Sequence, residues 1–167
     1  MAEYEHVKHT FEPIYNENSK ILILGSLPSV KSREQGFYYG HPQNRFWKVL
    51  SRILEWQEPH TIEEKKTMLL QNGIALWDVL ESCEIIGSSD SSIKNPVAAD
   101  IPGLLRKTNI EKIYVNGTAA GRYYKKYIFP LIGIKAEVLQ STSPLNCRCT
   151  IDKLVENWSV ILDKLFL

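Results

Sequence analysis

The stretch from Ile21 to Trp47, ILILGSLPSVKSREQGFYYGHPQNRFW, holds the densest set of side chains capable of chemistry. Ser26 and Ser29 sit in a short loop rich in Gly, Ser and Pro. Three adjacent aromatics follow, Phe37, Tyr38 and Tyr39, and then His41 and the amide of Asn44. Aromatic faces beside an uncharged amide suit a flat ligand, stacked on a ring and hydrogen-bonded at its edge. By type alone, His41 with Cys147 or Cys149 could be paired as base and nucleophile. Nothing around those cysteines has the local signature of a thiol enzyme, so a thiol hydrolase is set aside.

These residues need elements to hold them. Ile21 to Leu24 is an unbroken apolar run bounded by Gly25, the pattern of a strand buried on both faces of a parallel sheet. A loop past the carboxyl end of such a strand is where open α/β sheets bind ligands. Phe46, Val49, Leu50, Ile53 and Leu54 then fall at helical spacing. Thr61 with Glu64 forms a capping box for a second helix that stops near Asn72-Gly73. Ile74 to Trp77, Lys112 to Val115 and Ala136 to Leu139 read as three further strands, with Asp78 at the end of the first. A short helix is expected around Ala98 to Lys107, and Gly117 opens another over Thr118 to Tyr127. Thr150 can cap a final amphipathic helix carrying Ile151, Leu154, Val155, Trp158, Ile161, Leu162 and Leu165. Residues 1 to 20 read as a surface lead-in, and Gly87 to Pro96 as a polar loop. Strands alternating with helices predict a single domain over residues 1–167: a three-layer α/β/α sandwich around a short, mainly parallel four-stranded sheet.

Composition narrows the class. The chain has 167 residues, 44% hydrophobic and 23% charged, the make-up of an ordinary globular protein. No apolar run approaches the ~20 residues of a membrane span, and the amino terminus has no apolar signal region, so an intracellular protein is expected, cytoplasmic if bacterial or archaeal. Three cysteines cannot form a fully paired disulfide framework and are too few for a four-thiolate cluster. No metal and no cofactor are expected. A net charge of +1 gives no global nucleic-acid signature. A local patch from Lys31, Arg33, Arg45, Lys48, Arg52 and Arg148 would serve a small site, and an ordinary mixed-charge surface is the competing reading.

The block GFYYGHPQNRFWKVL resembles the corresponding segment of mismatch-specific uracil/thymine glycosylases, in the uracil-DNA glycosylase superfamily. GSLPS combined with HPQNRFW is most similar to the hypoxanthine (deoxyinosine) DNA glycosylase branch, counted as the sixth family. GIALWDVL, VNGTAAG and STSPLN extend the resemblance over most of the chain. It implies a uracil-DNA glycosylase-like fold and a partner, DNA carrying a deaminated base; a monomer is expected.

The resemblance also distributes roles. In the mismatch and uracil branches a catalytic Asn or Asp stands third in a G-x-[ND]-P pattern, and here that position is Leu27, which can neither activate nor orient water. Asn44 looks like the catalytic asparagine of the hypoxanthine branch. Its amide oxygen is suited to accept from water, and its nitrogen to donate to base or sugar; the competing role is a cap for the next helix. Tyr39 matches the aromatic on which the flipped base stacks. Asp78 matches the position where uracil enzymes read the base edge with Asn. An ionised Asp only accepts, so it favours a base with a ring N–H, such as hypoxanthine, over adenine; the competing role is a strand-end turn. STSPLN resembles the second motif HPSPLS, with Ser141 replacing its histidine. Ser143 and Pro144 would then meet the DNA backbone, and Leu145 would enter the base stack. Ser26 is a further candidate for the base, and Ser29 and His41 for DNA.

An N-glycosidic bond breaks through an oxocarbenium-like sugar while negative charge collects on the base. Sugar O-glycosidases use paired carboxylates instead, and no comparable pair appears here. The expected activity is hydrolytic release of hypoxanthine without strand cleavage, since Lys31 and Lys94 are the motif loops' only loose candidates for a Schiff-base amine. The alternatives are a glycosylase of the same fold acting on uracil or a mismatch, and a non-catalytic module that binds damaged bases.

Overall fold

The computed structural model describes residues 3–9, 11–87 and 89–166. Four strands form the central parallel sheet: β2 (Ile21–Gly25), β3 (Ile74–Asp78), β6 (Lys112–Asn116) and β7 (Ala136–Leu139), in the order β3-β2-β6-β7. Strand β2 is inner and wholly buried. Its alternate side chains serve two cores. Ile21 and Ile23 join α2 (Phe46–Leu54), α3 (Ile62–Gln71) and α6 (Ile151–Trp158) through Phe46, Leu50, Leu69, Leu154 and Trp158. Leu22 and Leu24 face the other way, toward α4 (Ile101–Arg106) and α5 (Thr118–Tyr123), through Ile101, Leu104 and Ala120. This is the α/β/α sandwich. Both expected side-chain caps form, the Thr61–Glu64 box on α3 and Thr150 on α6.

The lead-in and the polar loop behave differently from expectation. A second, antiparallel sheet, in the order β1-β4-β5, is built from β1 (Glu5–Lys8), β4 (Leu80–Ile85) and β5 (Lys94–Ala98). Beyond β1, Ile14 bridges Leu76 on the outer side of β3 through a pair of 2.9 Å hydrogen bonds. Only Val7 of EHVK faces inward, so β1 lacks the apolar alternation that announces a strand, as charged edge strands commonly do. Pro96 is tolerated in β5 because β5 is an edge. The last three residues of the segment Gly87 to Pro96 thus belong to a strand, with Ser88 outside the described residues.

Candidate active site

The parallel strands end around one cavity of about 510 Å³, lined among others by Ser26, Tyr39, Asn44, Asp78, Asn116 and Ser141. Its floor is Gly25, the last residue of β2. A Cβ there would strike Asp78 Oδ1 and stand 3.0 Å from the Tyr39 hydroxyl. Glycine is therefore what lets the carboxylate and the phenol approach each other. Tyr39 has a positive φ of 52°, and its ring stacks on Phe46 at 4.1 Å. A left-handed non-glycine residue costs on the order of 1–3 kcal/mol, and such strain clusters at functional sites. The Tyr39 hydroxyl is buried without a hydrogen-bond partner. Burial, and after it the Asp78 carboxylate, raises its pKa far above the usual phenol range. Asn116 pulls back only in part and stays outside bonding geometry. The phenol therefore remains protonated.

Asp78, at the carboxyl end of β3, is 3% exposed, and its Oδ2 accepts from His9 Nε2 at 2.8 Å. His9 follows β1, which the antiparallel sheet holds against β4. Asn44 precedes α2. Its Oδ1 accepts from the Phe46 backbone N–H at 3.0 Å and from the Thr142 hydroxyl at 2.9 Å. A backbone N–H can only donate, so the oxygen must be the atom facing it. Both lone pairs are thereby used, and Nδ2 has no partner among the described residues. The oxygen thus meets the first backbone N–H of α2 from one position before the cap residue, Arg45, and a water-accepting role for that same oxygen does not fit. Thr142, fully buried, accepts from Asn116 Nδ2 at 3.0 Å and returns its own N–H to Asn116 Oδ1 at 3.1 Å.

The loop Ser141 to Asn146 closes the cavity rim. Ser141 Oγ accepts from Ser143 N, and Ser143 Oγ from Leu145 N, each at 3.2 Å. Leu145 is 89% exposed at the mouth. Arg45 fastens this loop from beneath, donating to the carbonyls of Cys149, Ser143 (2.9 Å) and Asn146 (3.1 Å).

The cavity thus brings together Ser26, Ser29, Tyr39, Asn44, Asp78, Ser141, Ser143 and Leu145. Pro144 and His41 do not line it; His41 Nδ1 accepts from Gln43 N in its own turn. Ser29 caps α1 (Val30–Gln35) with its oxygen on Ser32 N. Phe37, Tyr38, Phe46 and Trp47 are core. The anticipated basic patch is largely committed elsewhere: Arg45 to the loop, Arg52 to Asp152 at 3.1 Å, Lys31 to Glu34 at 3.4 Å. Three site residues were not singled out from sequence, His9, Asn116 and Thr142. Asn116 had a signal, a polar residue ending a buried strand just before glycine. His9 had none nearby, because its partner is 69 positions away. Among the described residues no group of three or more His, Cys, Asp or Glu is placed to hold a metal ion. None of the described helices is long and apolar enough to cross a membrane.

Fold and cavity together define an α/β protein whose main cavity lies at the carboxyl ends of parallel strands. The model of the uracil DNA glycosylase superfamily matches residues 12–159. A protein named "Hypoxanthine DNA glycosylase" from Methanosarcina acetivorans is 34% identical over 157 residues, covering 93% of this chain and 98% of its own. A protein of the same name from Methanosarcina barkeri is 34% identical over 143 residues, covering 84% and 89%. The solution NMR structure of a Methanosarcina acetivorans protein superposes with a TM-score of 0.79 at 34% identity, covering 93% of this chain and 96% of that one. The chain belongs to the uracil DNA glycosylase superfamily.

Proposed function

We propose that this chain is a monofunctional DNA glycosylase that hydrolyses the N-glycosidic bond of deoxyinosine in DNA, releasing hypoxanthine and leaving an abasic site. The observation that carries the reading is the convergence of an acceptor-only carboxylate, an aromatic ring and an amide on one cavity, with Leu145 exposed at its mouth. The names of the two Methanosarcina relatives support the substrate.

The extruded base stacks on the face of Tyr39 turned away from Phe46. Asp78 Oδ1 accepts the N1–H of hypoxanthine; adenine offers a bare acceptor at that atom and is repelled. As the bond to the sugar lengthens, charge collects on the base, and Asn44 Nδ2 donates toward it. Water attacks the sugar carbon, and the released base takes its proton from solvent. Placement and hydrogen bonding carry the barrier reduction. Leu145 fills the space vacated in the stack, and Ser141, Ser143 and Pro144 border the strand. No lysine is among the described residues lining the cavity, which favours hydrolysis over Schiff-base strand cleavage. The protein acts inside the cell as a single-domain monomer, without metal.

The test is base release from matched duplexes carrying hypoxanthine, uracil or xanthine, with wild type and Asn44→Ala side by side. Hypoxanthine release that is lost in the variant is expected. Release of uracil with little hypoxanthine would reassign the substrate, since uracil also presents a ring N–H to Asp78. Tight binding to damaged duplexes without release from any would make the chain a binding module.

A further inference from the structure

We propose that His9 is a positioning residue for Asp78: its Nε2–H holds one carboxylate oxygen so that the other is presented to the base as an acceptor. The inference rests on the reading of Asp78 as the group that meets the base edge.

His9 is delivered by the antiparallel sheet. The β1–β4 ladder runs from Glu5↔Ile85 to Lys8↔Ser82, and His9 N extends it by donating to Glu81 O at 2.7 Å. That pairing places the imidazole beneath the end of β3, boxed by Phe11 at 4.5 Å and Tyr38 at 5.7 Å. Its side chain is 3% exposed and that of Asp78 is 5%. The contact is therefore a buried one, shielded from the solvent that weakens surface pairs.

A ring needed only for packing would be cheaper as phenylalanine. The His9 Nδ1 is buried with no hydrogen-bond partner, a desolvation cost that packing does not offset. The 2.8 Å bond to Asp78 Oδ2 is what the imidazole adds. It also sets the tautomer. With the proton on Nε2, the unpartnered Nδ1 is a lone pair; a proton there would be a buried N–H with no acceptor, the rarer and costlier defect. The same bond fixes the carboxylate. With Oδ2 taken, Asp78 can place only Oδ1 over Gly25, beside the Tyr39 hydroxyl, on the cavity floor. An Asp78 without this donor would be free to turn, and the acceptor facing the base would lose its fixed direction. The second sheet, on this view, serves recognition by aiming one oxygen.

The experiment compares wild type, His9→Phe and His9→Gln for binding to two duplexes. One carries an uncleavable 2′-fluoro deoxyinosine, the other a tetrahydrofuran abasic analogue. His9→Phe is expected to weaken the inosine duplex by about tenfold or more, as loss of a charge-assisted hydrogen bond does, and to leave the abasic duplex within about twofold. His9→Gln, whose amide nitrogen reaches the place of Nε2, is expected to restore most of the difference. Imidazole nitrogen NMR of the wild type should show the Nε2–H tautomer and a shift of that resonance in Asp78→Asn. Equal weakening toward both duplexes, unchanged affinity for inosine, or a proton on Nδ1 would overturn the proposal. Should His9→Phe fail to fold, the affinities of His9→Gln and the wild-type tautomer decide the matter by the same criteria. A wild type that binds the two duplexes equally would instead sink the base-reading role of Asp78, and this inference with it.

Discussion

Replacing Asn44 with Asp separates two roles that Asn44→Ala removes together. In the folded chain Oδ1 accepts from Phe46 N at 3.0 Å and from the Thr142 hydroxyl at 2.9 Å. Aspartate keeps an oxygen for both and adds a negative charge that the start of α2 favours. Stability should therefore stay within about 1 kcal/mol of wild type. What is lost is the Nδ2 donor. Removing one preorganised donor to developing charge costs roughly 2.7–4 kcal/mol, so base release should fall by about a hundredfold to a thousandfold. Asn44→Ala costs more in the fold: about 1 kcal/mol for the bond from Phe46 N and about 1 kcal/mol for the buried Thr142 hydroxyl left without an acceptor. That total of about 2 kcal/mol should lower Tm by roughly 4–8 °C for a chain of this size.

The assay is single-turnover release of hypoxanthine at saturating enzyme, with thermal melts of the same preparations. Asn44→Asp should melt near wild type and turn over slowly. An Asn44→Asp enzyme as fast as wild type, or faster, would rule out the Nδ2 donor as the working group. A carboxylate is the better acceptor toward water, and such a rate would mean that the side chain works through its oxygen.

Gly25→Ala should cost about 1–3 kcal/mol of stability through overpacking. Turnover should fall further than the melt suggests, because the new methyl strikes Asp78 Oδ1 and crowds the Tyr39 hydroxyl; melts and rates on one preparation test this. Leu145→Ala should leave stability within about 0.5 kcal/mol, since the side chain is 89% exposed. It should weaken binding to an abasic duplex by about tenfold, readable by fluorescence anisotropy. The protein should also lose stability in alkali. Burial raises Tyr38 and Tyr39 well above the phenol range and pushes Tyr114 and Tyr124 up to about 12. Between about pH 10, where unfolded tyrosine ionises, and those higher values the folded state binds more protons. Stability then falls with rising pH by about 1.4 kcal/mol per unit for each such tyrosine. Ionisation of these four buried tyrosines should coincide with loss of circular dichroism; phenolate absorbance from all eight tyrosines in a still-folded protein would count against it.

The parallel sheet was legible because ILIL, IALW, KIYV and AEVL are short apolar runs followed by turn residues, and a strand buried on both faces leaves that trace. The second sheet was not. In EHVK one side chain faces inward, and β5 contains a proline and Asn95 at φ 50°, so neither shows alternation. The same division runs through the site. Tyr39, Asn44 and Asp78 stood in segments whose order along the chain resembled a known arrangement. His9 and Thr142 act through partners 69 and 98 positions away, and contacts of that range leave no local pattern. Arg45 read as a surface cation, yet its guanidinium is spent on loop carbonyls, because a planar fork of donors suits a turn with several unmet oxygens.

Leu27 shows how the chain can dispense with a polar residue at the first motif. It lines the cavity as an apolar wall and packs toward Val7, Cys83 and Ile85 of the antiparallel sheet. An amide at that position would meet those apolar neighbours and need partners they cannot supply. The amide enters instead from the start of α2, where Asn44 is locked by Phe46 N on one side and on the other by Thr142, which Asn116 holds in turn. That lock joins three segments, the loop before α2, the end of β6 and the loop after β7. For the role proposed for Asn44, fixed direction matters more than a fixed place in the chain, and this network supplies direction at the cost of the oxygen. It follows that Thr142→Val, which keeps shape and removes the hydroxyl, should slow base release while leaving substrate binding nearly unchanged. A matched loss in binding would show that Thr142 holds the loop and not the amide.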